Sequence, residues 1–182
     1  KTDAPWKFLP SAFYSRPAND AGLAFGIGMT SPFGQSVEWQ EDGPFAFTAP
    51  FFAELRTIDI MPTVAYRFNE RWQVGAGFDF YYSDLKIKQG FPWGTVTGDF
   101  LTTPGTARFE GNGTGIGGRV GLTWKATSKQ QFAVTARSPV KVDYGGDFDI
   151  SEVPSALPAP FDLAVSPHSA FSSEITFPTI LA

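Results

Sequence analysis

Apolar and polar residues alternate with a period of two along most of the chain, which is the signature of half-buried strands. From 23 to 29 the odd positions are Leu23, Phe25, Ile27 and Met29, with Ala24, Gly26 and Gly28 between them. From 58 to 68 one face is Ile58, Ile60, Pro62, Val64, Tyr66 and Phe68, and the other is Asp59, Met61, Thr63, Ala65 and Arg67. From 72 to 82 the faces are Trp72, Val74, Ala76, Phe78, Phe80, Tyr82 and Gln73, Gly75, Gly77, Asp79, Tyr81. From 116 to 124 they are Ile116, Gly118, Val120, Leu122, Trp124 and Gly117, Arg119, Gly121, Thr123. From 132 to 144 they are Phe132, Val134, Ala136, Ser138, Val140, Val142, Tyr144 and Ala133, Thr135, Arg137, Pro139, Lys141, Asp143. Two weaker strands cover about 8–16 and 171–182, making about seven, and no stretch has a convincing helical period.

The connections alternate between short and long. Short polar turns lie at Pro17-Ala18-Asn19-Asp20, Asn69-Glu70-Arg71 and Thr127-Ser128-Lys129-Gln130. Long connections rich in Gly, Pro and aromatics cover about 35–52, 89–113 and 146–170. An antiparallel up-and-down meander with short turns at one end and long loops at the other fits an all-β transmembrane barrel, with periplasmic turns and extracellular loops. Strands of about ten residues suit that span. No linker divides the chain, so residues 1–182 form one barrel domain, a partial one with about seven strands.

In the five clear strands every charge lies on one face: Asp59, Arg67, Asp79, Arg119, Arg137, Lys141 and Asp143. A Lys or Arg on the lipid face costs roughly 2–4 kcal/mol at mid-bilayer, so a membrane enforces this segregation. A soluble secreted β-sandwich also has an uncharged core face. Two details favour the barrel. The charged face is rich in Gly and Ala, which suits a narrow filled lumen better than a water-exposed strand. Phe68, Trp72, Trp124 and Phe132 flank the short turns, where an interfacial aromatic girdle belongs.

Composition removes other classes. There are 14 Lys+Arg against 18 Asp+Glu, a net charge of −4, which argues against a nucleic-acid partner. Cysteine is absent, and His168 is the single histidine, which argues against a thiol, a His-based metal site or a cofactor-bearing enzyme. The acidic residues have no nucleophile–base constellation beside them, so no enzyme is expected.

Both ends look cut. The chain starts at Lys1, and Phe177-Pro178-Thr179-Ile180 repeats the opening of the Met61-Pro62-Thr63-Val64 strand before stopping. Seven strands would leave two edges unpaired in lipid, whereas bacterial barrels have an even number. Either the chain is part of a longer one, or the membrane reading fails.

The ordered set of segments resembles the FadL/TodX family. It comprises Gly22-Leu23-Ala24-Phe25-Gly26-Ile27-Gly28, Pro32-Phe33-Gly34, Leu55 to Ile60, Pro62 to Asn69, Gly75 to Asp79, Gly121 to Trp124 and Ala136 to Phe148. The resemblance implies a fourteen-stranded outer-membrane barrel closed by a hatch, with this chain as about its second to eighth strands. It implies transport of long-chain fatty acids or other hydrophobic compounds, with outer-membrane lipid around a monomeric barrel. Pro32, Phe33 and Gly34 fall where the family kinks its third strand to open the wall, although such residues also simply end strands at a rim. Trp39, Phe45, Phe47, Phe51, Phe52, Phe91, Trp93 and Phe100 are the aromatic loop residues that would capture an alkyl chain, or would merely pack on one another. Lys86, Lys88 and Lys141, the last expected to face the lumen, are candidates for a carboxylate head group, or belong to a solvated rim. Gln89 stands where the family has a base. Asp59, Arg67, Asp79, Arg119 and Arg137 are expected to form a lumen-facing charge network. The competing functions are a general porin or surface-binding barrel, and a soluble binding module.

Overall fold

The alternating segments pair in chain order into one antiparallel sheet. A computed structural model describes residues 9–17, 22–43, 45–155, 157 and 168–182. The strands are β1 (Ala12–Pro17), β2 (Leu23–Thr30), β3 (Gly34–Glu38), β4 (Phe52–Arg67), β5 (Trp72–Phe91), β6 (Gly105–Lys125), β7 (Gln131–Arg137), β8 (Val140–Ile150), β9 (His168–Phe177) and β10 (Ile180–Leu181). One short helix, α1 (Trp93–Thr97), joins β5 to β6. The expected strands over 132–144 and 171–182 are interrupted, and β3 lies in the connection expected over about 35–52, so β2 with β3, β7 with β8 and β9 with β10 each continue one line of the sheet. Ten strands therefore lie on seven lines. Of the short turns, 18–20 lie outside the described residues.

The two short turns that are described are closed by side chains. Asn69 Oδ1 accepts from the amides of Arg71 and Trp72 at 2.8 and 3.0 Å, and Thr127 Oγ1 accepts from Lys129 N at 3.2 Å. These Asx- and ST-type bonds let the chain reverse within a few residues. At the same end Trp72, Trp124 and Phe132 share one cross-strand row and stack at 5.6 and 5.7 Å.

The long connections are shorter than the alternation predicts. β5 runs to Phe91, β6 starts at Gly105 and β8 reaches Ile150. Beyond Tyr82 the outward face of β5 changes to Asp84, Lys86 and Lys88. The apolar positions there are the inward Leu85 and Ile87, so the polarity of the two faces inverts while the hydrogen-bonded ladder continues.

The exposed and buried faces are the reverse of those in a water-soluble sheet. Asp59 and Asp79 are fully buried, while Phe78, Ile116 and Val134 are 60, 67 and 62% exposed. A sandwich would bury the second set. Here the apolar face is outermost and the charges line the inside, which a hydrocarbon surround stabilises and water does not.

Each strand interruption shifts the alternation. Thr30 pairs with Asp59 and Gly34 with Arg56, so Ser31, Pro32 and Phe33 oppose Ile58 and Thr57. Arg119 pairs with Arg137 and Thr114 with Asp143, so five residues of the β7–β8 line oppose four of β6. One extra residue exchanges the two faces of everything beyond it. Val140, Val142 and Tyr144, expected beside Phe132 and Val134 on the lipid side, are buried inside, at 1, 0 and 2% exposure. Lys141 and Asp143 correspondingly face outward rather than into the lumen.

Candidate functional site

The inner face of the sheet carries three layers. The first is ionic. β4, β5, β6 and β7 place Asp59, Asp79, Arg119 and Arg137 at inward positions of neighbouring strands. Arg119 donates from Nε to Asp79 Oδ1 at 2.7 Å and from its Nη2 to Asp59 Oδ2 at 3.0 Å, with a further Nη2 contact to Asp79. Arg137 stands 3.8 Å from Asp59 and 3.7 Å from Asp79, and its Nη1 donates to Tyr81 Oη at 2.9 Å. The four charges sum to zero, so burial is tolerable here where a single ion would not be. Asp59 Oδ1 and Asp79 Oδ2 accept no hydrogen bond among the described residues. Arg67, expected in this network, sits at the turn end of β4, exposed, eight residues from Asp59. That separation is about 26 Å along a strand, beyond side-chain reach.

The second layer is apolar and aromatic. Tyr81, Val140, Val142, Tyr144 and Phe177 form a buried cluster against which Phe33, Leu55, Leu85 and Ile175 pack. Phe33 stacks on Phe177 at 4.5 Å and 22°, and Tyr81 meets the edge of Phe177 at 5.5 Å. Val140 lies directly on β6: a Cβ on Gly117 would meet Val140 Cγ2 at 2.5 Å, so glycine is required for this approach. Beside the cluster runs a hydroxyl chain. Thr57 Oγ1 and Ser83 Oγ share a 2.9 Å bond, and Tyr144 donates to Ser83 Oγ at 2.8 Å. Ser31, at the interruption, donates to Thr57 O at 2.8 Å. Pro32 and Phe33 thus lie in the interruption and Gly34 opens β3 beside it, with Thr57 N donating to Phe33 O at 2.9 Å.

The third layer is at the loop end. Trp39, Phe45, Ala46, Ala49, Pro50 and Phe51 line, with Gln40 and Gly43, a cavity of about 450 Å³. That is an ordinary size for a small-ligand pocket. Trp39 and Phe45 are half or more exposed at its mouth, Phe51 is buried in its wall, and Phe47 stands exposed nearby. The remaining loop aromatics separate from it. Trp93 is fully buried against Ala107 and Ile150, donates to Ser151 O at 2.9 Å, and meets Phe91 edge-on at 4.6 Å. These two hold the α1 connection onto the sheet. Phe52 faces outward beneath Lys88 Nζ at 5.2 Å, and Phe100 is 83% exposed at a loop tip.

The three lysines share one placement. Lys86 and Lys88 lie on the outward face of β5, and Lys86 pairs with Glu110 at 3.9 Å. Lys141 pairs outward with Glu174 at 2.8 Å and Asp143 at 3.5 Å. The basic groups that do face inward on this part of the sheet are Arg119 and Arg137. Sequence reasoning missed Tyr81, Tyr144 and Phe177, which occupy the face read as polar or fall after a shift in alternation. It also missed Ser138, whose Oγ accepts from Gly118 N at 2.9 Å where Pro139 breaks the ladder.

Comparison with known proteins agrees with this architecture. A family model described as outer membrane protein transport protein (OMPP1/FadL/TodX) matches residues 1–181. The long-chain fatty acid transport protein of Salmonella typhi is 29% identical over 169 residues, covering 85% of this chain and 38% of that protein. That of Escherichia coli K12 is 26% identical over 171 residues, covering 80% and 37%. The chain thus spans well under half the length of these curated relatives. Among solved structures, a Pseudomonas aeruginosa FadL homologue superimposes with a TM-score of 0.78 at 17% identity, over 95% of this chain and 43% of that one. The Pseudomonas putida toluene transporter TodX gives 0.63 at 17%, over 99% and 50%.

Proposed function

From the premise that the chain belongs to the OMPP1/FadL/TodX family of outer-membrane transport proteins, we propose that it forms the capture and exit side of a barrel that takes up long-chain fatty acids or other hydrophobic compounds. Capture begins in the loop cavity of Trp39, Phe45 and Phe51. The ligand then moves down to the Phe33–Tyr81–Phe177 cluster and leaves sideways through the wall at Ser31-Pro32-Phe33. The whole barrel acts as a monomer surrounded by outer-membrane lipid.

One observation carries this reading. The wall strand is interrupted directly after Thr30, and Thr30 pairs with Asp59 of the ion network. An apolar solute descending the lumen therefore meets four charged groups at the rung where the wall loses its ladder. Each CH2 transferred out of water gains about 0.8 kcal/mol. Passing the charges keeps the chain in polar surroundings and strips the ions of partners, whereas turning outward delivers it to hydrocarbon. The two arginines that a carboxylate head group would meet at this level, Arg119 and Arg137, are both engaged by aspartates.

The test is a reversible seal. A Cβ on Gly34 would lie 3.0 Å from Leu9 Cδ2, so these two positions sit together at the mouth of the interruption. Cysteines at Leu9 and Gly34 of the whole protein, joined by a short bis-thiosulfonate, should stop palmitate uptake and release it on reduction. Unchanged uptake with bridging complete would refute sideways exit.

A further inference from the structure

Two interruptions of the wall meet across the lumen. The first is Ser31–Phe33 on the β2–β3 line. The second lies on the two adjacent lines β7–β8 and β9–β10. There Val140 pairs with Phe177 and Arg137 with Ile180, so Ser138 and Pro139 face Pro178 and Thr179. Each interruption presents a phenylalanine beside a proline: Pro32-Phe33 on one side, Phe177-Pro178 on the other. Those two rings are the ones that stack at 4.5 Å, and Phe177 is only 6% exposed.

We propose that Phe177 is the latch of the sideways exit: its ring holds Phe33 from across the lumen and keeps the interruption closed until an apolar ligand displaces it. This rests on the exit route proposed above. The physical case has three parts. First, the stack ties the β2–β3 interruption to the β9–β10 line, so parting it loosens Phe33 and leaves its ring beside Tyr81 at 6.3 Å. Second, Phe177 sits where movement costs little. Neither Pro178 nor Pro139 has an N–H to give to the ladder, so the chain can hinge there with few hydrogen bonds broken. Third, an acyl chain or an aromatic ring offers Phe33 the same kind of contact that Phe177 gives. The ligand can then replace the latch without leaving apolar surface bare, and a hydrated ion cannot. Tyr81 remains behind as the fixed wall, tethered through its hydroxyl to Arg137. The latch thus discriminates by apolarity at the last point before the membrane.

The measurement is palmitate uptake by the whole protein in lipid vesicles, comparing wild type with Phe177→Leu, Phe33→Leu and the double variant, each first shown to be inserted. Loss of one aromatic pair should raise the exit rate by roughly two- to tenfold in Phe177→Leu, with no further gain in the double variant over Phe33→Leu. An unchanged rate in Phe177→Leu, or two effects that multiply independently, would overturn the proposal. A second measurement does not depend on packing. This chain contains no cysteine, so Phe33→Cys/Phe177→Cys can be bridged selectively within it. Bridging should stop uptake and reduction should restore it, and undiminished uptake by the bridged form would overturn the latch. The Leu9–Gly34 seal separates the two ideas. If that seal leaves uptake intact, the exit route itself is wrong. If it stops uptake while the Phe33–Phe177 bridge does not, only the latch is wrong.

Discussion

Replacing Arg119 by Met is the sharpest test of the ionic layer. Among the described residues Arg119 is the one in hydrogen-bond contact with both buried carboxylates, at 2.7 Å to Asp79 and 3.0 Å to Asp59. At an effective dielectric of about 20, a unit pair at 3 Å attracts by about 5–6 kcal/mol, much of it offset by the desolvation already incurred. Met keeps the length and apolar bulk of the stem but removes the cation. Two carboxylates are then left with Arg137 alone, 3.7–3.8 Å away. Breaking a buried pair from one side costs about 3–5 kcal/mol. The assay is urea unfolding of the whole protein in lipid vesicles, followed by tryptophan emission. Arg119→Met combined with Asp79→Leu leaves one Asp and one Arg, restores neutrality, and should recover most of the loss. A cost below about 1 kcal/mol for Arg119→Met, or no recovery in the pair, would show that the aspartates are not held as buried anions by this arginine.

Four further outcomes are expected. Val120→Arg, on the outward belt, should destabilise the inserted barrel by about 2–4 kcal/mol in the same titration. Ser138→Ala should leave Gly118 N–H without its acceptor, cost about 1–3 kcal/mol and speed exchange of the Gly118 amide, which is readable by hydrogen-exchange mass spectrometry. Trp39→Ala with Phe45→Ala should weaken equilibrium binding of a fluorescent fatty acid by about tenfold or more through lost apolar contact. Lys141→Ala should leave that binding unchanged, because the side chain faces away from the lumen; a marked loss would place it on the ligand's path.

How much was legible follows from where the lipid belt imposes a rule. Between Trp72 and Tyr82 every outward residue is apolar and every charge is inward, so faces, strand order and the ion network of Asp59, Asp79, Arg119 and Arg137 could be read from alternation. Above the belt the outward positions are Asp84, Lys86 and Lys88, the constraint is gone, and the first part of β6, Gly105 to Gly113, reads as loop. The alternation through 132–144 misled for a different reason. It is regular in sequence, but one residue bulges at Ser138-Pro139, which sends Lys141 outward and Val142 inward. A Pro in a strand signalled the break, while nothing local gave the size of the bulge. Phe177 was invisible as a site residue because its partner, Phe33, is more than a hundred positions away and faces it only once the sheet curls.

The bulges behave as frameshifts written in the strand rather than in the gene. Below each one, odd and even positions have one meaning, and above it the opposite meaning. Removing a single residue from Ser31–Phe33 would leave two residues opposite Ile58 and Thr57 and so erase the bulge. It would keep Gln35 and Val37 inward and Ser36 outward, because Gly34 can still pair with Arg56, whereas removing two would make β3 slip by one against β4 and exchange its faces.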